Sequence, residues 1–451
     1  MSAHHQRGSW SSRLGFILAA SGSAVGLGAI WKFPYIAGRN GGGVFLFAYL
    51  GSVALIGVAL LLAELVIGRA ANRSATSAFR ALAGGGKFWP WIGRVGVLCV
   101  FIIYCYYCVV GGWTLAYFFQ ALKGGIIVSD TAALGRIFAR FIASPPAVLG
   151  SAALFSALTT AIVLGGVERG IERLSKVLMP GLFALMLILI ARSLTLAGAA
   201  DGMRYFLTPD FSKVSGALLV DALGLAFFSM SLGCGMMIAY GSYLPRASKL
   251  VGAGLWVSAL ATLACLLAGL MVLPAVFAFG FDPTEGPALT FIVMPSIFAQ
   301  LPGGQFFAAA FFLLLAFAAL TSSVSILEPV TAFLIDEWHW PRKWAALCPA
   351  LVAFVVGIPA ALSFGVLRDA TWLGKTPFEL MDYLAANVLL PFGGLFVALF
   401  VSWVIWPRVR AELADEGHHR VLLVAFRVIC GLVAPVLIGM IWYYKIMELI
   451  R

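Results

Sequence analysis

Apolar residues fill most of this chain in runs of about 20 residues, which short polar segments separate. A helix of that length crosses the hydrocarbon core of a bilayer, so each run predicts a transmembrane helix. We count eleven, called spans one to eleven in chain order: 14–38, 43–68, 95–120, 147–166, 176–197, 216–243, 250–279, 303–335, 343–365, 379–406 and 421–446. The pattern predicts an all-α integral membrane protein, with 1–451 as a single polytopic domain.

Span one departs from a uniform apolar helix. It contains Gly22, Gly26 and Gly28, and its run stops at Pro34. Each glycine weakens a helix by about 1 kcal/mol relative to alanine. Broken backbone persists in a membrane only where it is buried or lines a cavity, and its freed carbonyls and amides can then hold an ion or ligand. The segment predicts a helix broken inside the bilayer, at one wall of a solute site.

Span six repeats this feature, because Ser229, Ser231, Gly233 and Gly235 crowd its middle. Small residues within a span are also typical of close helix packing. Two interrupted segments at matching places in two halves of a chain instead favour a transporter built from inverted repeats. The paired placement leads us to expect a second break.

Composition and charge support the membrane assignment. Only 11% of the residues are charged, against about 25% in soluble domains. Most basic residues lie in the N-terminal tail and in the even-to-odd connections, so the net charge of +11 indicates orientation and no nucleic-acid partner. We expect a multi-pass protein of the cell (inner) membrane, with the N-terminus cytoplasmic and the C-terminus outside. The predicted partners are the lipid bilayer and a small-molecule substrate, and the oligomeric state stays open.

Enzyme chemistry has no support in the sequence. The five histidines lie in the N-terminal tail and in hydrophilic segments, without metal-ligand spacing. No phosphate-binding glycine loop and no Ser/His/Asp set occurs. All seven cysteines lie in apolar segments, which argues against a disulfide framework. We therefore expect a protein that is not an enzyme.

Span eight carries a cluster of hydroxyl groups in Thr321, Ser322 and Ser323. Such hydroxyls can bond the carbonyls of their own helix. They can also supply hard oxygen ligands, which would form a small uncharged shell together with the carbonyls freed in span one. A shell of that kind suits Na⁺ better than Mg²⁺, which prefers carboxylates and retained water. Both interpretations remain open at this point.

Charged residues within spans are few and are therefore candidates for function. Lys32 and Asp382 can form an outer ion pair, and Arg7 and Asp336 an inner one. A pair that opens and closes with access is a gate, whereas snorkelling to the interface is the alternative.

Several segments together resemble the neurotransmitter:sodium symporters, and the bacterial amino-acid members most closely. These segments are Trp10-x-x-Arg13-Leu-Gly, Ala24-Val-Gly-Leu-Gly28, Phe33-Pro34, Asn40-Gly-Gly-Gly43, Glu64-x-x-x-Gly68-Arg69, Trp113-Thr114, Ser231-Leu-Gly233 and Leu320-Thr-Ser-Ser323. The resemblance implies a leucine-transporter-like fold of five plus five inverted helices, broken in helices 1 and 6. The repeats would cover roughly 10–200 and 210–406, with an extra helix at 421–446.

The resemblance also implies roles for individual residues. The substrate pocket would comprise Ala24, Gly26, Ile103, Tyr107, Phe227, Phe228, Ser231, Cys234, Ser322 and Ile326. The family's second sodium site would use the carbonyls of Gly22, Val25 and Ala318 and the hydroxyls of Thr321 and Ser322. The inner gate would comprise Arg7, Trp10, Tyr243 and Asp336, and the outer gate Lys32 and Asp382. The resemblance implies that Tyr107 would bond the carboxylate of the substrate and that Phe228 would close over the substrate. Gly26 stands where the monoamine carriers of the family have an aspartate.

The departures from the family are also informative. Ala29 and Ala261 stand where the family's first sodium site has side-chain oxygens, so this site is expected to be lost. Leu225 and Cys265 occupy chloride-site positions, although Tyr49 persists. Cys234 replaces a bulkier aromatic, which predicts a roomier pocket.

We therefore expect a sodium-coupled symporter of an amino acid or related small zwitterion. It would work by alternating access, with one Na⁺ and no chloride. Two alternatives stay open: a Na⁺-independent or proton-linked exchanger, in which Glu64 or Glu328 carries protons, and a substrate sensor that does not transport.

Overall fold

The structure, a computed structural model, describes residues 8–283, 289–414 and 420–450. Within these ranges every regular element is helical, apart from one isolated bridge between Trp372 and Lys375. The predicted all-α membrane class is confirmed.

Nine helices in the described ranges are long and apolar enough to cross a membrane. They are Gly43–Ala71, Trp89–Leu122, Pro145–Leu164, Val167–Leu194, Leu250–Ala278, Gly304–Trp338, Arg342–Leu362, Pro377–Val404 and Val421–Tyr444, which correspond to spans two to five and seven to eleven. Span three begins at Trp89 instead of residue 95, because Pro90 is tolerated in a first helical turn.

Span one is broken, as the sequence predicts. It consists of the helices Arg13–Ala24 and Gly28–Arg39, which meet at an angle of 50°. Ser12 caps the first helix by accepting a hydrogen bond from the backbone amide of Gly15 at 3.0 Å. Val25 leaves the helical region at ψ 61°, so the backbone around it is free to bond elsewhere.

Span six is also interrupted. Its pieces are the helices Gly216–Ser229 and Met236–Gly241. Between them Ser231, Gly233 and Gly235 have φ angles of 57°, 84° and 78°, which end the helix. The predicted total of eleven spans is compatible with the structure when these two short pieces count as one span. By length and composition alone, the described helices give nine spans, or ten with span one.

Spans three and eight form the centre of the bundle, where they pack along each other. The first half of span one lies against spans five, seven and eight. The second half of span six packs on span two. Both breaks therefore lie inside the protein, where their polar backbone has partners.

Candidate functional site

A cavity of about 410 Å³ lies between the two broken spans. The residues that line it come from spans one, three, six, eight and ten: Ser23, Ala24, Gly26, Gly28, Ile103, Tyr107, Phe228, Ser231, Met236, Ser322, Ile326 and Leu390. Eight of the ten substrate-binding residues expected from the sequence are in this set.

Phe227 and Cys234 are the two expected residues that do not line the cavity. The ring of Phe227 lies against span ten, where a Cβ atom on Gly394 would come within 2.6 Å of its Cε1. Cys234 is fully buried, and its thiol donates to the carbonyl of Ser231 at 3.7 Å. Cys234 lies within the break, whose irregular backbone directs its thiol away from the cavity, whereas Phe227 still belongs to the regular helix Gly216–Ser229.

Four lining residues were not expected from the sequence: Ser23, Gly28, Met236 and Leu390. Ser23 and Gly28 belong to the glycine-rich break of span one, so the break itself indicated that they could line the cavity. Met236 begins the short second helix of span six. Leu390 lies in span ten beside Pro391, Gly393 and Gly394, and this second cluster of helix-weakening residues was the signal available for it.

Tyr107 supports the break of span one from span three. The backbone amide of Leu27 donates to the Tyr107 hydroxyl at 3.2 Å. Because Leu27 lies between the two halves of span one, its amide has no partner within a helix. The Tyr107 hydroxyl, which lines the cavity, is thereby held against the break of span one.

Serine hydroxyls bind the carbonyls freed by the same break. Ser322 of span eight donates to the carbonyls of Gly22, at 3.1 Å, and Ser23, at 2.9 Å. Ser231 of span six also donates to the Ser23 carbonyl, at 3.1 Å. These bonds join spans one, six and eight at one point beside the cavity.

The structure brings the expected sodium ligands of spans one and eight close together. A Cβ atom on Gly22 would lie 3.2 Å from the Cβ of Thr321, and the carbonyl of Gly22 is 3.1 Å from the Ser322 hydroxyl. The Thr321 hydroxyl bonds the Ala318 carbonyl of its own helix at 3.1 Å. The fifth expected ligand is Val25, at the end of the first helix.

These donors are uncharged oxygens, which fit a sodium ion. In the part of the chain that the structure describes, no group of three or more His, Cys, Asp or Glu residues could hold a metal ion. Of the hydroxyls in span eight, Ser322 reaches span one, whereas Ser323 bonds the Leu320 carbonyl and the Thr159 hydroxyl.

Glu64 of span two holds the break of span six. Its carboxylate accepts hydrogen bonds from the amides of Gly233, at 2.6 Å, and Met237, at 3.2 Å. The side chain is only 1% exposed. Glu64 therefore satisfies backbone groups that the interrupted helix leaves without partners.

Protein groups bond to one another among the residues expected at the family's first sodium and chloride sites. Ala29 and Ala261 are fully buried. The Tyr49 hydroxyl lies 2.9 Å from the Ser229 hydroxyl and 3.2 Å from the Cys265 sulfur. Neither alanine offers a side-chain oxygen to an ion here.

The expected outer pair forms directly beside the cavity. Lys32 Nζ lies 3.3 Å from Asp382 Oδ1, and the two side chains are 21% and 31% exposed. The same nitrogen lies 4.4 Å from the ring centroid of Phe228, which lines the cavity. The ion pair therefore contacts a ring of the cavity wall.

The inner gate is described only in part, because Arg7 lies outside the described residues. Asp336, its expected partner, accepts a hydrogen bond from the Ser74 amide at 2.6 Å. The indole of Trp10 donates to the Tyr240 carbonyl at 3.0 Å, and the Trp10 amide to the Tyr243 carbonyl at 3.3 Å. These contacts attach the N-terminal segment to the second half of span six.

A second inner ion pair was not expected from the sequence. Arg342 and the fully buried Glu328 lie 2.6 Å apart, and the Tyr243 hydroxyl donates to Glu328 at 2.8 Å. Glu328, which was a candidate proton carrier, is therefore bound to a cation and a hydroxyl. The same pair links span eight to the start of span nine.

Comparisons with known proteins agree with this architecture. The model of the sodium:neurotransmitter symporter family matches residues 7–129 and 147–450. The crystal structure of MhsT in complex with L-phenylalanine superposes with a TM-score of 0.91 at 42% identity, covering 97% of this chain and 99% of that one.

Relatives identified by sequence span bacteria, archaea and animals. A sodium-dependent transporter of Bacillus subtilis, YhdH, is 42% identical over 91% of this chain and 90% of its own length. One from Methanocaldococcus jannaschii is 32% identical over 97% of this chain and 90% of its own length. The human sodium- and chloride-dependent taurine transporter is 26% identical over 88% of this chain and 72% of its own length.

Proposed function

The chain belongs to the sodium:neurotransmitter symporter family, which comprises membrane transporters and not enzymes, and on this premise we propose a specific reaction for it. It moves a neutral amino acid with an apolar side chain into the cell together with one Na⁺, without chloride. Access to the cavity alternates between the two sides of the membrane. The N-terminus faces the cytoplasm and the C-terminus the outside.

The observation that carries the proposal is the convergence of uncharged oxygens from spans one and eight. Ser322 bonds two carbonyls freed by the break, and Thr321 lies against Gly22. A sodium ion at this point would join the same two spans. Because span one also lines the cavity, ion binding would favour the conformation that holds the substrate, which is how two ligands become coupled.

The chemistry of the cavity supports an amino acid as substrate. Its polar groups include the Tyr107 hydroxyl, which is bonded to the Leu27 amide and suits a carboxylate. None of the described residues that line it carries a charge, and Gly26 supplies no carboxylate for an amine. Since MhsT, at 42% identity, was crystallised with L-phenylalanine, a neutral apolar amino acid is the substrate class we propose.

The residues expected at the family's first sodium site support a stoichiometry of one Na⁺ per substrate molecule. Ala29 and Ala261 provide no ligands, and Tyr49, Ser229 and Cys265 bond to one another. Chloride and the first sodium balance each other's charge, and one buried charge left unpaired costs several kcal/mol. The loss of both ions together is therefore consistent, and the substrate carboxylate relies on amides and Tyr107.

The decisive experiment measures uptake of labelled L-phenylalanine into proteoliposomes under an inward Na⁺ gradient, with K⁺ as the substitute cation. We expect uptake to need Na⁺ and to persist when gluconate replaces chloride. The double variant Thr321→Ala/Ser322→Ala should lose the dependence on Na⁺. Ser323→Ala is the matched control, because its hydroxyl makes no contact with span one, and it should retain that dependence.

Three outcomes would contradict the proposal. Counterflow of amino acids that persists without Na⁺ would indicate an exchanger, for which the buried carboxylates Glu64 and Glu328 are candidate proton carriers. Saturable binding without any uptake would indicate a sensor. Sodium dependence that survives the double variant would show that the ion binds elsewhere.

A further inference from the structure

Span ten reaches the break of span six through direct backbone contact. A Cβ atom on Gly393 would collide with the carbonyl oxygen of Gly233, and one on Gly233 would collide with the carbonyl oxygen of Leu390. Only glycine at both positions permits this approach, which resembles the small-residue contacts of tightly packed membrane helices. The contact fixes Leu390 against the interrupted segment.

As a result, Leu390 becomes part of the cavity wall while remaining 3% exposed. Met236, which begins the second half of span six, lines the cavity as well. Together with Ile103 and Ile326 they give it a wall of aliphatic and thioether side chains. A substrate side chain that contacts these four residues meets aliphatic and thioether groups, which favours an apolar side chain.

The middle of span six does not supply this wall. Cys234 is a small residue, and its thiol is bonded to the Ser231 carbonyl. Phe227 lies against Gly394 instead of the cavity. Neither of these two side chains therefore forms part of the cavity wall.

We propose that Leu390, assisted by Met236, determines which amino-acid side chains this transporter accepts. The proposal rests on the proposed function, because it takes the cavity as the substrate site. The accepted class is neutral amino acids with a bulky apolar side chain, and Leu390 sets the upper limit of size.

The expected effect is large enough to measure. One methylene in a hydrophobic pocket changes discrimination by about 10- to 200-fold. Leu390→Ala removes several carbons from the wall, so the affinity for L-tryptophan relative to L-valine should rise at least about tenfold. Leu390→Phe should lower that ratio by a similar factor.

The test is competition binding to purified protein in detergent, with both amino acids against labelled L-phenylalanine. The ratio of the two dissociation constants does not depend on the folded fraction, so partial misfolding of one variant leaves it interpretable. Val388→Ala is the matched control, because Val388 belongs to the same span but is 38% exposed on its outer face. We expect its ratio to equal that of the wild type.

The outcomes separate this inference from the proposed function. Opposite shifts in Leu390→Ala and Leu390→Phe support it. If the ratio of the two dissociation constants is unchanged in both Leu390 variants, or shifts as much in Cys234→Ala as in Leu390→Ala, the inference about Leu390 is wrong. Wild-type binding of amino acids would still support the proposed function in that case. A wild-type protein that binds no amino acid overturns both.

Discussion

Replacing Glu64 by alanine should destabilise the protein by about 2–6 kcal/mol. The carboxylate accepts hydrogen bonds from the amides of Gly233 and Met237. Each buried amide left without a partner costs about 1–3 kcal/mol, and no water within the bilayer can replace the acceptor. Two such amides give the stated range. Glu64→Gln keeps one oxygen that can accept a hydrogen bond, but it places its NH₂ group against the second backbone amide. We therefore expect it to lose about half as much stability as Glu64→Ala.

Thermal unfolding followed by tryptophan fluorescence in detergent measures this effect. Asp130→Asn is the control, because Asp130 is an exposed carboxylate that also accepts a backbone hydrogen bond, from Ala132 at 2.9 Å. Asparagine caps a helix as well as aspartate does, so the control should change stability by less than about 0.5 kcal/mol. If Glu64→Ala unfolds at the same temperature as this control, the carboxylate does not hold the break.

The glutamine variant also decides between two roles for Glu64. If Glu64 only supports span six, the Glu64→Gln variant should retain sodium-driven uptake at a reduced level. If Glu64 carries protons, the same variant should lose transport completely although the protein remains folded. Loss of uptake in folded Glu64→Gln would therefore refute the structural role argued above.

Two further predictions concern close contacts around the cavity and the inner face. Gly26→Ala should abolish ligand binding, since its Cβ would collide with the Ser322 hydroxyl and lie 2.9 Å from that of Tyr107; Gly51→Ala, where a Cβ meets nothing within 4 Å, should bind normally. Glu328→Gln should cost about 3–5 kcal/mol because it leaves the Arg342 guanidinium without its buried partner. In the double variant Glu328→Gln/Arg342→Gln, part of the lost free energy of unfolding should return. If the two single-variant changes in the free energy of unfolding simply add in a double-mutant cycle, the two side chains do not stabilise each other.

Local chemistry made part of the site predictable from the sequence. Gly22, Gly26 and Gly28 weaken a regular helix in span one, and the matching cluster of small residues in span six makes a break the favoured interpretation. The scarcity of charge within spans likewise singled out Lys32 and Asp382, which pair as expected.

Other features depend on contacts between distant segments, which residue types alone do not determine. Leu390 lines the cavity only because Gly233 and Gly393 let two backbones touch. Cys234 was expected at the cavity from the family resemblance, but the backbone of the break turns its thiol toward Ser231.

The bonds of Ser322 bear on how tightly the proposed sodium site would hold its ion. Its single hydroxyl hydrogen is shared between the carbonyls of Gly22 and Ser23. A sodium ion bound to the Gly22 carbonyl and to Ser322 would displace this hydrogen, and the hydroxyl would turn a lone pair toward the ion. One set of polar contacts would be exchanged for another, so the net gain in free energy would be smaller than the sum of the new contacts. The proposed site would therefore bind Na⁺ less tightly than the number of its oxygen ligands suggests.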